Sequence, residues 1–444
     1  MRSRLVQCAF IAALVSYPAL SFGQAAPQQQ PPPAASTPAS TQTAQSHGAV
    51  RITLDEAIQL AQTHNHNLAA ARTTIQQNEA QEITANLRPN PVFSLGEQYF
   101  PFFQPNGFSA DYINEEAEFD VGLSYLFERG KKRQHRLQAA QDATAVTRST
   151  VADNERTLIF NVASQFFAVQ LAESTLDLAL QDQNSFQKTV DISEARYKAG
   201  DISEADFLKI QLQLLQFQTD VSQAELSKVQ ALVGLRQYLG YQSVPEDYDV
   251  SGDFDYRPVT MKLEDLQAKA LQSRPDFRAA VQGVAAAKSQ YELARANGKR
   301  DVTGTATYAH TGGLSTLDLS ASWELPFFDR NQGEIARTNY AINQAQELEL
   351  ATSDQVMSDV LDAYETVRQN DKVITLYRNG YLDAAQKSLD ITQYSYKRGA
   401  ASLLDFLDAE RSYRAAQLGY RQTLAAYLTA VEQLRESVGV RTLP

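Results

Sequence analysis

The sequence predicts a mainly α-helical protein with a smaller membrane β component, and three observations lead there. The chain repeats itself once, each copy holds a helical pattern too long for a compact core, and each copy holds a pair of segments alternating apolar and polar residues.

The repetition is explicit. Ile52-Thr53-Leu54-Asp55-Glu56-Ala57 recurs as Met261-Lys262-Leu263-Glu264-Asp265-Leu266, each opening a helix whose acidic first turn suits the positive end of the helix dipole. Phe127-Glu128-Arg129-Gly130 returns as Phe328-Asp329-Arg330-Asn331, and Arg196-Tyr197-Lys198-Ala199-Gly200 as Ser395-Tyr396-Lys397-Arg398-Gly399. Asp206-Phe207-Leu208 is answered by Asp405-Phe406-Leu407. The expected division is a signal peptide at 1–23, a disordered leader at 24–50, a first repeat at 51–250 and a second at 251–444.

At the N-terminus, Arg2 and Arg4 precede an apolar run at residues 9–20 and the small residues Ser21 and Gly23, the layout of a secretory signal peptide cleaved near Gln24. The leader, with Gln28-Gln29-Gln30-Pro31-Pro32-Pro33, has too few apolar groups to offset the entropy of ordering. Cys8 is the only cysteine and lies ahead of the apolar core, so the mature chain is expected to carry no thiol, disulfide or acyl anchor. Loss of Arg2 and Arg4 takes the formal charge from −12 to −14, which argues against nucleic acid as a partner. No later run approaches the roughly 20 apolar residues of a spanning helix, so any membrane span must be built from strands.

Leu158, Val162, Phe166, Val169, Leu176 and Leu180 mark one face of the first long helix, and Val356, Val360, Tyr364, Val367 and Ile374 mark the second. Neither Pro nor a Gly cluster interrupts residues 131–198 or 332–398 after the opening turn, so each is expected to run unbroken for about 100 Å. Return helices follow, one striped by Phe207, Ile210, Leu214, Phe217 and Val221, the other by Phe406, Ala409, Tyr413, Ala416 and Tyr420. Their spacing favours antiparallel coiled-coil pairs.

Phe119, Val121, Leu123, Tyr125 and Phe127 oppose Glu118, Asp120, Gly122 and Ser124. Leu317, Leu319, Ala321, Trp323 and Leu325 oppose Asp318, Ser320, Ser322 and Glu324. Weaker partner strands lie at 92–99 and 302–310, Gly312-Gly313 reads as a hairpin turn, and Phe100, Phe102, Phe103, Phe327 and Phe328 edge the strands as an aromatic girdle would. Four strands are too few to close a wet barrel. A homotrimer supplies twelve, giving a trimeric twelve-stranded β-barrel continuous with a long antiparallel α-helical coiled-coil barrel. Two hairpins capping a soluble periplasmic helical scaffold or adaptor remain the alternative at this point.

Catalytic chemistry is missing from the sequence. His64 and His66 are poorly spaced to share a metal on a helix, His47, His135 and His310 are scattered, and no nucleophile elbow, phosphate loop or zinc-protease motif occurs. No enzyme, cofactor or metal site is expected.

Arg88-Pro89-Asn90-Pro91 before the first strand, Phe127-Glu128-Arg129-Gly130-Lys131 after the second, and the two Tyr-Lys-x-Gly turns with Asp six residues beyond carry a resemblance. From Ile52 to Gly439 the chain resembles the TolC family of outer-membrane factors, in particular its CzcC/CusC-like subgroup. That resemblance implies the exit duct of a tripartite efflux system, set in outer-membrane lipid and closed like an iris at its periplasmic end. It also implies a periplasmic adaptor and an inner-membrane transporter of the resistance-nodulation-division type as partners. The reversals at Gly200, Asp201 and Ile202 and at Gly399, Ala400 and Ala401 become the adaptor-contacting tips, where glycine tolerates the left-handed end of a helix. Residues 399–408 resemble the family's constriction, so Asp405 and Asp408, one helical turn apart, would stack as two carboxylate rings whose members raise one another's proton affinity. Tyr396 would pair with Asp206 as a lock. The basic residue that often completes this lock is Ala401 here, which leaves Lys397 or Arg398 for that part.

Overall fold

In the computed structural model the described residues are 50–98, 109, 111, 112, 115 and 117–442. The signal peptide, most of the leader, and Phe100, Phe102 and Phe103 lie outside them.

A short strand β1 (Arg51–Ile52) leads to helices α1 (Leu54–His64) and α2 (His66–Ala85), strands β2 (Val92–Gln98) and β3 (Glu118–Phe127), and helices α3 (Lys132–Ala199) and α4 (Glu204–Leu239). After β4 (Asp249–Val250) the order repeats: α5 (Leu263–Ser273), α6 (Pro275–Asn297), β5 (Val302–Thr311), β6 (Leu314–Ser322), then α7 (Gln332–Leu376), α8 (Leu382–Lys397) and α9 (Leu403–Val438). Local chemistry explains the first boundaries. Thr53 and Glu56 form a reciprocal capping box at the start of α1, and the Asn65 side chain accepts the Leu68 N–H at 3.0 Å to start α2. His64 and His66 flank that break and are both exposed.

β2, β3, β5 and β6 form one antiparallel sheet in that order, so the two hairpins meet along β3 and β5. Register places Leu95, Val121, Tyr308 and Leu317 in one row across the sheet, and Phe93, Leu123, Ala306 and Leu319 in the next. This face is bare: Leu95 is 73% exposed, Leu317 68% and Leu319 76%. The opposite face carries Ser94, Asp120, Ser124, Thr305, Thr307, Asp318 and Ser320, and a Cβ added at Gly96 or Gly122 would collide with Asp120 or Ser94 there. Gly312 (φ 52) and Gly313 (φ 78) make the expected tight hairpin turn, which needs positive φ at both positions. β2 and β6 are left as open edges.

Two equivalent apolar cores hold the helices. One joins Ala57 and Ile58 of α1 to Val162, Phe166 and Val169 of α3 and Leu235 and Leu239 of α4; the other joins Leu266 and Ala270 of α5 to Val356, Val360 and Val367 of α7 and Leu434 and Val438 of α9. The sequence stripes therefore mark true core faces, except that Leu180 is 37% exposed.

One expectation is corrected. Helix α3 runs unbroken for 68 residues, but its counterpart is divided into α7 and α8 by a π-helical turn at Tyr377–Tyr381. Gly380 there has φ 117, a conformation a side chain opposes, and Asn379 leaves the helical region with ψ 31. Tyr377 packs over Gly419 of α9 and lies edge-on to Tyr381 and Tyr420, with centroids 5.5 and 6.1 Å away.

Candidate gate at the helical reversals

Both reversals are built the same way. Gly200 (φ 83) and Gly399 (φ 72) end α3 and α8 in the left-handed conformation. The Asp201 N–H reaches the Arg196 carbonyl at 2.9 Å and the Ala400 N–H reaches that of Ser395 at 2.8 Å, so orphan carbonyls at each helix end are satisfied. A Cβ on either glycine would meet nothing within 4 Å, so backbone conformation rather than crowding selects glycine.

The return helices then start on serine caps. Ser203 accepts the Asp206 N–H at 3.1 Å, and Ser402 accepts the Asp405 N–H at 3.2 Å. Both aspartates receive their serine's hydroxyl in exchange, at 2.9 Å for Asp206 and 2.7 Å for Asp405. The Ser402 backbone N–H also donates to Asp405 at 3.1 Å. Within the single chain these Ser402 hydrogen bonds hold the Asp405 carboxyl below the ordinary aspartate value. Asp405 and Asp408 are exposed, and Asp408 pairs with Arg411 on the next turn.

A stacked Tyr–Phe pair clamps each reversal: Tyr197 on Phe207 at 5.2 Å and Tyr396 on Phe406 at 5.3 Å, both with rings 7° from parallel. Phe406 also stacks on Phe186, so the second reversal is packed against the first pair of helices. Within the chain Tyr396 and Asp206 do not meet. Tyr396 is buried with its hydroxyl unbonded among the described residues and the Arg196 guanidinium 5.5 Å above its ring; Asp206 pairs with Lys209 at 3.5 Å. Arg398 sits over the Tyr394 ring at 4.7 Å. Asp201, Gly399 and Ala400 are exposed, while Ile202 and Ala401 are half-buried.

Above this end lies a charged hub that sequence reading missed. Arg414 of α9 reaches Asp182 of α3 at 3.2 Å, pairs with Asp220 of α4, and lies 4.3 Å over the Phe217 ring. One turn earlier on α9, burial pushes the Glu410 carboxyl up to about 7, opposed by Arg414 and reinforced by Asp182 and Asp220. Burial also raises Asp182 despite Arg414 beside it. These partners are 232 and 194 residues apart, so no local pattern announces them.

Among the described residues no group of three or more His, Cys, Asp or Glu is placed to hold a metal ion, and no helix is long and apolar enough to cross a membrane.

A profile of the outer membrane efflux protein family matches the chain twice, over residues 57–241 and 266–440. Cobalt-zinc-cadmium resistance protein CzcC of Cupriavidus metallidurans is 24% identical over 398 residues, spanning 87% of this chain and 90% of CzcC. Pyoverdine export outer membrane protein OpmQ of Pseudomonas putida is 24% identical over 408 residues, spanning 87% of this chain and 85% of OpmQ. A crystal structure of CusC has the same fold, with a TM-score of 0.74 and 20% identity over 90% of this chain and 96% of CusC. These matches set aside the soluble scaffold and agree with the sheet, whose bare apolar face suits lipid and whose polar face suits a wet lumen. The chain belongs to the outer membrane efflux protein family and is an outer-membrane channel of a tripartite efflux system.

Proposed function

We propose that three copies of this chain, each contributing one repeat pair as divided above, form a passive exit duct gated at its periplasmic reversals. Asp405 and Asp408 form the constriction, aided by Asp206 and Tyr396. The periplasmic adaptor seats on Gly200, Asp201 and Ile202 and on Gly399, Ala400 and Ala401, with a resistance-nodulation-division transporter behind it. The observation that carries this reading is the position of the two aspartates: both are exposed, one turn apart, at the free end of a helical pair remote in sequence from the sheet. Threefold symmetry turns them into six carboxylates around one axis, which favours cations by field alone. Similarity to a cobalt-zinc-cadmium resistance protein supports cationic cargo.

The Ser402 bonds refine the mechanism. With its carboxyl held below the ordinary value by Ser402, Asp405 starts low against the rise that neighbouring carboxylates would bring, which supports a negatively charged ring that attracts cations. Asp408 is shared with Arg411, and a multivalent cation entering the constriction competes with that guanidinium. Single-channel recording in planar bilayers tests the reading. The double variant Asp405→Asn, Asp408→Asn is expected to lose block by trivalent cations and most of its cation preference, whereas Glu347→Gln on α7 leaves both in place. Unaltered block and selectivity in the double variant would place the gate elsewhere.

A further inference from the structure

The four linkers joining sheet to helices, residues 86–91, 128–136, 295–301 and 323–332, lie at one end of the sheet. Register requires it, since Val92 pairs with Ser124, Phe127 with Val302 and Thr303 with Ser322. These linkers carry ten Lys and Arg against four Asp and Glu, a surplus of six positive charges in a chain whose formal net charge is −12. The belt is thus local and opposite in sign to the rest of the molecule.

Some of its cations are already engaged: Lys132 with Asp301 at 2.7 Å, Arg136 with Glu128 at 2.7 Å, and Arg300 with Glu324 at 3.1 Å. Arg88, Arg129, Lys131, Arg133, Lys299 and Arg330 form no ion pair among the described residues, and all but the half-buried Arg133 are exposed. Helices α3 and α7 begin in the same belt, at Lys131 (φ 59) and Asn331 (φ 61), and no side chain caps either terminus. Two helix dipoles therefore add positive potential to the free cations. On the sheet side stand exposed aromatics: Phe127 is 56% exposed, Trp323 59% and Phe328 93%. Apolar sheet face, aromatic ring, then cations is the order in which a leaflet presents hydrocarbon, interface and phosphate.

We propose that this belt is a lipid-binding collar that engages the phosphate groups of the periplasmic leaflet, prefers anionic phospholipid over zwitterionic, and sets the depth of the sheet. The proposal rests on the outer-membrane placement of the sheet. The geometry fits it better than a structural ion-pair role, because these six cations form no ion pair among the described residues although carboxylates outnumber cations 52 to 40 along the chain.

Trp323 is the only tryptophan and stands at the collar, so its fluorescence reports on the lipids beside it. The full-length protein is reconstituted into vesicles containing either brominated phosphatidylglycerol or brominated phosphatidylcholine at matched mole fraction, and quenching of Trp323 gives the relative affinity. A preference for phosphatidylglycerol of about fivefold or more is expected, one surface cation being worth about that factor, and it should shrink as salt rises from low to molar concentration. A variant with Arg129, Lys131, Lys299 and Arg330 each changed to Gln should be quenched equally by both lipids while remaining an inserted oligomer. Equal quenching of the unaltered protein by the two lipids overturns the proposal without any variant. So does a retained preference in the variant, or a variant whose only change is ion selectivity, which would place these cations in the lumen. Absence of quenching by either lipid would overturn the membrane placement itself and the collar with it, a result distinct from equal quenching.

Discussion

Glu410 shows how one residue can set a pH response. Burial raises its carboxyl from an ordinary 4.5 to about 7, so the folded chain holds the proton more tightly than the unfolded chain. The stability contribution is therefore full below pH 4.5 and is lost as pH rises through about 7. Glu410→Gln mimics the protonated form and is expected to stabilise the protein by on the order of 2 kcal/mol at pH 8 while changing little at pH 4. Thermal melts of both proteins across that range check it; a difference that does not grow with pH would show that Glu410 is not buried as described. Little of this was legible in the sequence: Arg414 lies four residues along α9, but Asp182 and Asp220, which raise Glu410 further, come from α3 and α4, far away along the chain. Asp405 illustrates the converse. Its place near the reversal could be read, but its bonds to Ser402 could also have been anticipated from the Ser-x-x-Asp spacing, which recurs at Ser203 and Asp206.

At the scale of elements, the two repeats differ most at the kink. Helical periodicity continues straight through Tyr377–Tyr381, and the one local signal of a break is the Asn379-Gly380 dipeptide, whose glycine costs about 1 kcal/mol in a helix and which also marks turns. At the break Tyr377 packs over Gly419 of α9, a tertiary contact that periodicity does not encode. Gly380→Ala places a Cβ at φ 117 and is expected to destabilise by about 1–3 kcal/mol or to straighten the helix, whereas alanine at Gly283, which lies in α6 with open space around it, stabilises slightly. Melting temperatures of the two variants, read by circular dichroism, separate the cases. The reversals were far more legible, since glycine, a serine cap and an acidic first turn are local signals. Ala400→Trp should abolish cross-linking of the adaptor while leaving oligomer and membrane insertion unchanged; undiminished cross-linking would remove this tip from the contact.

For the whole molecule, the sheet is the decisive part. Alternation identified two of its four strands cleanly, and register then joined the two hairpins through β3 and β5, a pairing between repeats that alternation alone does not specify. The open edges β2 and β6 must find each other on neighbouring copies if twelve strands close. Because Cys8 is the only native cysteine and lies ahead of the expected cleavage point, cysteine pairs report on this contact without background. With Ser94→Cys on β2 fixed, a scan of cysteines along β6 is expected to give disulfide-linked dimers and trimers for one register on non-reducing gels, and none for either single cysteine. Dimers as the end product, or ladders that grow past three, would rule out threefold closure.

The bare apolar rows of the sheet matter before assembly as much as after it. A newly exported chain carries Leu95, Leu317 and Leu319 into water along with two unpaired strand edges, so the solitary protomer is the most aggregation-prone species in the life of the protein. Its survival then depends on a race between encounter with two sisters and capture by unproductive neighbours. Yield should therefore fall when synthesis outpaces delivery to the membrane, and slower expression should raise the amount of finished channel even though every chain made is identical.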